Sequence, residues 1–137
     1  MDNITVNEDL TAENLRSWTP IGNLYANYCG EFDGNGYSIV NLKIEDKDKA
    51  TNLGLFPIIY SSTIKNLTVC GTVSGSGTNV GGIVGYNHRG TLENCVSYVN
   101  VTSTGTNAGG VVGEINYSSD QADKYGIDAK INNCVNY

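Results

Sequence analysis

A gapless internal repeat of 28 residues constrains the fold of this chain more than any other feature of the sequence. Gly77-Thr78-Asn79-Val80-Gly81-Gly82-Ile83-Val84-Gly85 recurs as Gly105-Thr106-Asn107-Ala108-Gly109-Gly110-Val111-Val112-Gly113, seven identities in nine at an offset of 28. The same offset carries Thr63-Ile64-Lys65-Asn66-Leu67 onto Thr91-Leu92-Glu93-Asn94-Cys95, and Val73 onto Val101. One further step back, Gly54-Leu55-Phe56 stands against Gly82-Ile83-Val84. An Asn-centred unit occurs four times, at Asn41, Asn66, Asn94 and Asn133, with separations of 25, 28 and 39. The last turn therefore carries an insertion, placed between Gly113 and Ile131.

Each unit is short, rich in β-branched residues and punctuated by glycine, without helical periodicity. A period of this length exceeds a hairpin and falls short of a strand-helix-strand unit. It suits one coil of a β-solenoid, read here with three short strands per rung. Side-chain parity agrees. Apolar residues fall at Ile39, Leu42 and Ile44, and again at Ile64, Leu67 and Val69, whereas a flat strand would place them at every second position. The odd step across each Asn implies a corner with both neighbours inward. Asn tolerates the left-handed conformation that such a corner needs, and its amide can bond the Asn of the next rung. The expected fold is an all-β, right-handed parallel β-helix with about 28 residues per rung and Asn41, Asn66, Asn94 and Asn133 in one ladder. The hand follows the rule for parallel crossovers.

Residues 1–36 stand outside the repeat and are assigned to an N-terminal cap, since a solenoid end exposes apolar interior and unpaired backbone. Residues 9–15 read as a short helix with Thr11 at its N-cap. Trp18, Ile21, Tyr25 and Phe32 supply large apolar groups for the cover. Residues 37–137 form the repeats, with an inserted loop over 114–128. With no matching cap after Tyr137, the chain reads as part of a longer protein.

Composition narrows function mainly by exclusion. Eight Lys+Arg against fourteen Asp+Glu give a net charge of −6, which disfavours nucleic acid and anionic membrane surfaces as partners. No apolar run is long enough to span a bilayer, so no membrane insertion is expected. His88 is the only histidine, so a two-histidine metal site cannot exist here and no nucleophile–histidine triad is proposed; it reads as a solvated turn residue. Asp33 lies in an Asp-Gly-Asn-Gly turn and reads as backbone geometry. Asp46 and Asp48 alternate with lysines and lack the glycine and terminal Glu of a calcium loop. Cys95 and Cys134 fall in the column of Leu42 and Leu67, as small core residues that neighbouring rungs would also bring within disulfide range. Cys29 and Cys70 have no assigned partner. No catalytic residue, metal ligand or cofactor site is expected.

Gly81-Gly82-Ile83-Val84-Gly85-Tyr86-Asn87 followed by Gly90-Thr91-Leu92-Glu93-Asn94-Cys95 resembles the GLUG motif of bacterial surface proteins. Trp18-Thr19-Pro20-Ile21-Gly22 and Phe32-Asp33-Gly34-Asn35-Gly36-Tyr37-Ser38-Ile39 are similar to the segment that often precedes such repeats. The resemblance covers residues 15–137, with one departure: Pro57 stands where Gly85 and Gly113 stand in the later copies. It implies a secreted or wall-associated modular protein. Some relatives lie beside the peptidase of IgA-cleaving metalloenzymes, and others belong to adhesin-like chains.

The insertion is the first candidate for ligand contact, because insertions in solenoids project from one face. Tyr117 and Tyr125 would stack on a sugar or a side chain, with Asp120 and Asp123 as polar contacts. Tyr86, His88 and Arg89, at the preceding corner, form the second candidate. The expected function is a non-catalytic cell-surface adhesion, binding or spacer module, whose partner is a host or bacterial surface glycan or protein. The alternative is an accessory or degenerate part of a carbohydrate-active enzyme or peptidase whose active site lies elsewhere.

Overall fold

A computed structural model describes residues 2–7, 15–46, 49–116 and 129–137. Its described residues form fifteen strands and no helix. The helix expected over residues 9–15 falls almost entirely on residues outside those described. Three full turns are built from β2 (Glu31–Asp33), β3 (Ser38–Glu45), β4 (Asn52–Leu53) and β5 (Phe56–Tyr60), then β6 (Thr63–Lys65), β7 (Thr68–Gly75), β8 (Asn79–Gly81) and β9 (Val84–His88), then β10 (Thr91–Glu93), β11 (Val96–Ser103), β12 (Asn107–Gly109) and β13 (Val112–Asn116). A partial turn follows in β14 (Lys130–Asn132) and β15 (Val135–Asn136), and β1 (Ile4–Thr5) precedes them all.

Every strand pair is parallel, and the later turns stack in strict repeat register. Thr63 lies beside Thr91, Val73 beside Val101, Asn79 beside Asn107 and Val84 beside Val112. The molecule is thus a parallel β-solenoid. Each turn contributes to four sheets rather than the three expected, ordered β1-β3-β7-β11-β15, β2-β6-β10-β14, β4-β8-β12 and β5-β9-β13. The extra sheet arises because Gly81-Gly82-Ile83 breaks what would be one long strand into two that fold sharply on each other.

Inward columns form the core. Phe32, Ile64 and Leu92 stack in one column, Ile44 and Val73 in a second, Leu53 and Val80 in a third, and Phe56 and Val84 in a fourth. Equivalent positions become exposed in the last turn: Leu92 is fully buried, whereas Ile131 above it is 38% exposed. At the other end, residues 2–7 and 15–30 hydrogen-bond to the start of the stack. Val6 N–H donates to Val40, Trp18 N–H to Lys43, Ile21 N–H to Leu55 and Tyr28 N–H to Ile58, while Tyr60 and Thr63 donate back to Tyr28 and Gly30. Trp18, Ile21 and Tyr28 pack on the core, and Tyr28 and Phe32 hold Phe56 between them at 5.1 and 5.3 Å. Tyr25, expected in that cluster, is 96% exposed, and Tyr28 takes its place. The stack itself starts at Glu31 in β2, earlier than the boundary expected at residue 37.

The Asn column holds three of its four expected members. Asn94 Nδ2 donates to Asn66 Oδ1 and Asn133 Nδ2 to Asn94 Oδ1, each at 3.3 Å. All three have positive φ, between 50° and 53°. Asn41 is not among them. Asp33, which lies beside Lys65 in the stack, ends the chain of amides instead and accepts from Asn66 Nδ2 at 3.0 Å. Asn41 lies within β3, where the register shifts between Ile39 and Leu42, and its amide donates to Asn7 O at 2.7 Å. The apolar spacing that suggested a corner there is produced by a β-bulge, because one extra residue shifts parity just as a corner does. Gly71 faces the bulge. A Cβ at Gly71 would strike the backbone of Leu42, and its φ of 150° is also unsuited to side chains.

Two stability outcomes follow from these contacts. Gly71→Ala should lose about 3 kcal/mol or more in urea denaturation, since neither backbone can retreat. Asn94→Leu should cost about 1–3 kcal/mol, through the broken amide chain and the left-handed φ. Asn94→Gly, which keeps the φ, should recover part of that loss, and equal losses in the two variants would assign the whole cost to the ladder.

Candidate functional site

The third and fourth sheets meet in a crease on the outside of the solenoid. Its depth is set by glycine. A Cβ on Gly81 would collide with the carbonyl of Val84, and one on Gly85 would lie 2.7 Å from the backbone N of Leu53. Gly113 repeats the second contact one turn later, at 2.7 Å from the backbone N of Val80. These positions let two strands approach backbone to backbone. Pro57 occupies the same column in the first turn. Its counterparts pack on the strand one rung below, and β4 is the end strand of its sheet, so the steric demand for glycine disappears there.

A second amide ladder lines one wall of the crease. Asn79 Nδ2 donates to Asn52 Oδ1 at 2.7 Å, and Asn107 Nδ2 donates to Asn79 Oδ1 at 2.8 Å. Asn79 faces outward yet is only 5% exposed, because the opposite wall covers it. That wall carries the register column Ile58, Tyr86 and Glu114, and beyond it the column Tyr60, His88 and Asn116. Asn107 Nδ2 also reaches Glu114 Oε2 at 3.1 Å, which joins the two walls in the third turn. Leu24 and Asn27 stand at the N-terminal end, and the groove between these limits measures about 370 Å³.

His88 is in strand β9 rather than in a solvated turn. Its ring stacks on Tyr60 at 4.7 Å and lies 6.2 Å from Tyr86. Partial burial, and then the positive charge of Arg89, hold its pKa below the ordinary 6.5. The neighbouring Asn87 points into the core, fully buried, and both ends of its amide bond Gly90.

The other groups singled out in the sequence are engaged in structure. Asp33 Oδ1 accepts from Asn66 and from Asn35 N–H, and Lys65 lies 3.6 Å from its second oxygen. These bonds, the Asn66 bond foremost, hold the carboxyl below its usual range. All four cysteines are free thiols. Cys95 is fully buried, and burial pushes its thiol up to about 11, with Cys134 beside it in the next rung. Burial also raises Cys70. Among the described residues no group of three His, Cys, Asp or Glu side chains is placed to hold a metal ion. No helix among them is long and apolar enough to cross a membrane. Tyr117, Asp120, Asp123 and Tyr125 lie outside the described residues, as does Asp48. The insertion leaves from Asn116, which stands beside His88 at the lip of the groove.

Sequence reasoning named Tyr86, His88 and Arg89 as the corner to consider after the insertion, and of these Tyr86 and His88 line the groove. It missed the Asn52-Asn79-Asn107 wall. The signal was present, since Asn79 and Asn107 are identical in the repeat and Asn52 precedes Asn79 by 27 residues. Comparison with known proteins finds no matching family model, no matching curated protein and no matching solved structure.

The lowered pKa of His88 has a consequence for stability. The unfolded chain takes up a proton at higher pH than the folded one, so the contribution is complete above about 6.5 and is lost as pH falls through the folded value. Denaturation midpoints should therefore decline as pH drops below about 6.5, well above the window below 3.8 in which Asp33 protonates. In His88→Gln the first decline should vanish and the second remain.

Proposed function

We propose that this chain is a non-catalytic adhesion, binding or spacer module of a secreted or cell-surface bacterial protein, and that it engages its ligand in the outer crease. The observation that carries the reading is the juxtaposition of an outward but covered amide ladder with a wall of stacked rings. Such a concave surface, with apolar planes and a few convergent polar groups, is the usual form of a binding site. The resemblance to GLUG repeats supports the cell-surface placement, and the solenoid supplies stiffness along its axis. The coil is taken as right-handed, the hand that parallel crossovers favour.

The chemistry of the reactive groups favours binding over turnover. A nucleophile needs a lowered pKa or a paired base, and the Cys70 and Cys95 thiols are raised instead. Among the described residues the neighbours of His88 are two tyrosine rings and an arginine, and none of these is a carboxylate that would orient it as a base.

The test is a screen of the intact chain against immobilised glycans and extracellular proteins. Tyr86→Ala should abolish the binding found. Tyr98→Ala should leave it unchanged, because Tyr98 stacks on Tyr137 at 5.0 Å on a different sheet. Binding indifferent to Tyr86, or turnover of any polysaccharide by the purified chain, would overturn the proposal.

A further inference from the structure

The groove also specifies a class of ligand, an inference that rests on the binding-module reading above. We infer that the crease binds an uncharged oligosaccharide chain lying along the solenoid axis, with the faces of its sugar rings on Tyr86, Tyr60 and His88 and its hydroxyls on the Asn52-Asn79-Asn107 ladder.

The two walls match the two kinds of surface on a sugar. A pyranose ring presents C–H groups on its faces and hydroxyls around its edge. The faces need a flat apolar partner, which tyrosine and imidazole rings supply. The Tyr60–His88 pair is already stacked, so little side-chain freedom is lost on binding. The hydroxyls both donate and accept and need groups that do the same. A primary amide carries two N–H donors and an oxygen with two lone pairs. Within the ladder Asn79 gives one N–H to Asn52 and receives one from Asn107. Asn79 is only 5% exposed, so the hydroxyls meet the partly exposed ends of the ladder. There these bonds use the oxygen of Asn52 and the nitrogen of Asn107 and leave the amide nitrogen of the one and the amide oxygen of the other.

Charge excludes the anionic alternatives. Among the described residues no Lys or Arg lines the groove, so a uronate or sialate would lose hydration there without gaining an ion pair from them. The carboxylate at its C-terminal end, Glu114, already accepts from Asn107 and would repel a second anion. The depressed pKa of His88 leaves its imidazole neutral at pH 7.

Backbone geometry argues against a peptide. Extended peptides bind by adding a strand to a free sheet edge. The groove walls are the outward faces of strands that are hydrogen-bonded on both sides in the second turn, so they offer side chains and no ladder. Periodicity argues for a polymer of like units. The amides recur at each rung, roughly 4.8 Å apart, and rings stand in the first two turns, at Tyr60 and then at Tyr86 and His88. A chain of repeating sugars can meet successive rungs with the same contacts, which a single small molecule cannot.

Calorimetry and NMR on the intact chain test this directly. The probes are neutral hexasaccharides of β-1,4-linked glucose, xylose and mannose, their disaccharides, oligogalacturonate of equal length, and an acetylated hexapeptide. At least one neutral hexasaccharide should bind, about tenfold or more tighter than its disaccharide. Its addition should shift the side-chain amide signals of Asn52, Asn79 and Asn107. Tyr86→Ala should weaken it about tenfold or more and Tyr86→Phe should retain it. Tyr60→Ala, at a more exposed position, gives the same readout if Tyr86→Ala fails to fold. Binding of oligogalacturonate or of the peptide in preference to every neutral sugar would overturn the ligand class, yet if it still depended on Tyr86 the binding-module reading would stand. Neutral-sugar binding that leaves the three amide signals unmoved would overturn the site. Absence of any ligand, here and in the wider screen, would overturn both.

Discussion

Parallel stacking of equivalent residues, held by backbone hydrogen bonds from each turn to the next, is the constraint on which the rest of the structure depends. A solenoid has no central sheet that buries all its polar backbone at once. Each rung satisfies its N–H and C=O groups only through the rungs above and below it. Once the register is set, every side chain meets the same kind of side chain in the next turn. Apolar residues then form the inward columns through Ile64 and Leu92 or Val80, and asparagines at matched positions form ladders. The same constraint makes the ends special. The first turn is covered by residues 2–7 and 15–30, whose donors and acceptors reach strands of three of the four sheets.

Glycine sets the second feature of the molecule. At the junction of the third and fourth sheets, backbone meets backbone, and any Cβ at Gly81 or Gly85 would hold the strands apart. The resulting crease turns outward-facing residues toward each other, so that Asn79 is covered without being in the core. The candidate binding surface therefore arises from the sequence needed for a tight corner. Stacking on the next rung then extends it: the amides become a ladder, and Tyr60 and His88 become one platform. Fold and candidate site are two results of the same repeat.

The two asparagine columns play different parts. The Asp33-Asn66-Asn94-Asn133 column lies at a corner with left-handed residues, and its amides satisfy each other. It is a structural strap. Lys65, within reach of Glu31 and Asp33, adds ion pairs that solvent largely screens. The Asn52-Asn79-Asn107 column is extended backbone facing the aromatic wall. Identical chemistry thus straps a corner in one place and, in the other, lines the crease proposed to bind, according to what stands opposite.

The sequence by itself determined the solenoid, its 28-residue period, the inward columns and the left-handed turns at Asn66, Asn94 and Asn133. These follow from local parity and from self-similarity, which any parallel stack must turn into contact. Tertiary structure decided what depends on angles between elements. The apolar spacing around Asn41 is compatible with a corner or a bulge, and only pairing of β3 against Gly71 selects the bulge. That choice leaves Asp33 to end the chain of amides, which repeat alignment did not suggest. The number of sheets, and the meeting of the Asn79 column with the Tyr86 column, were likewise outside what the sequence could express. The repeat specifies which residues lie above one another along the axis. How sharply the chain bends at Gly81-Gly82 fixes which residues face one another across it, and that bend is set by packing between backbones.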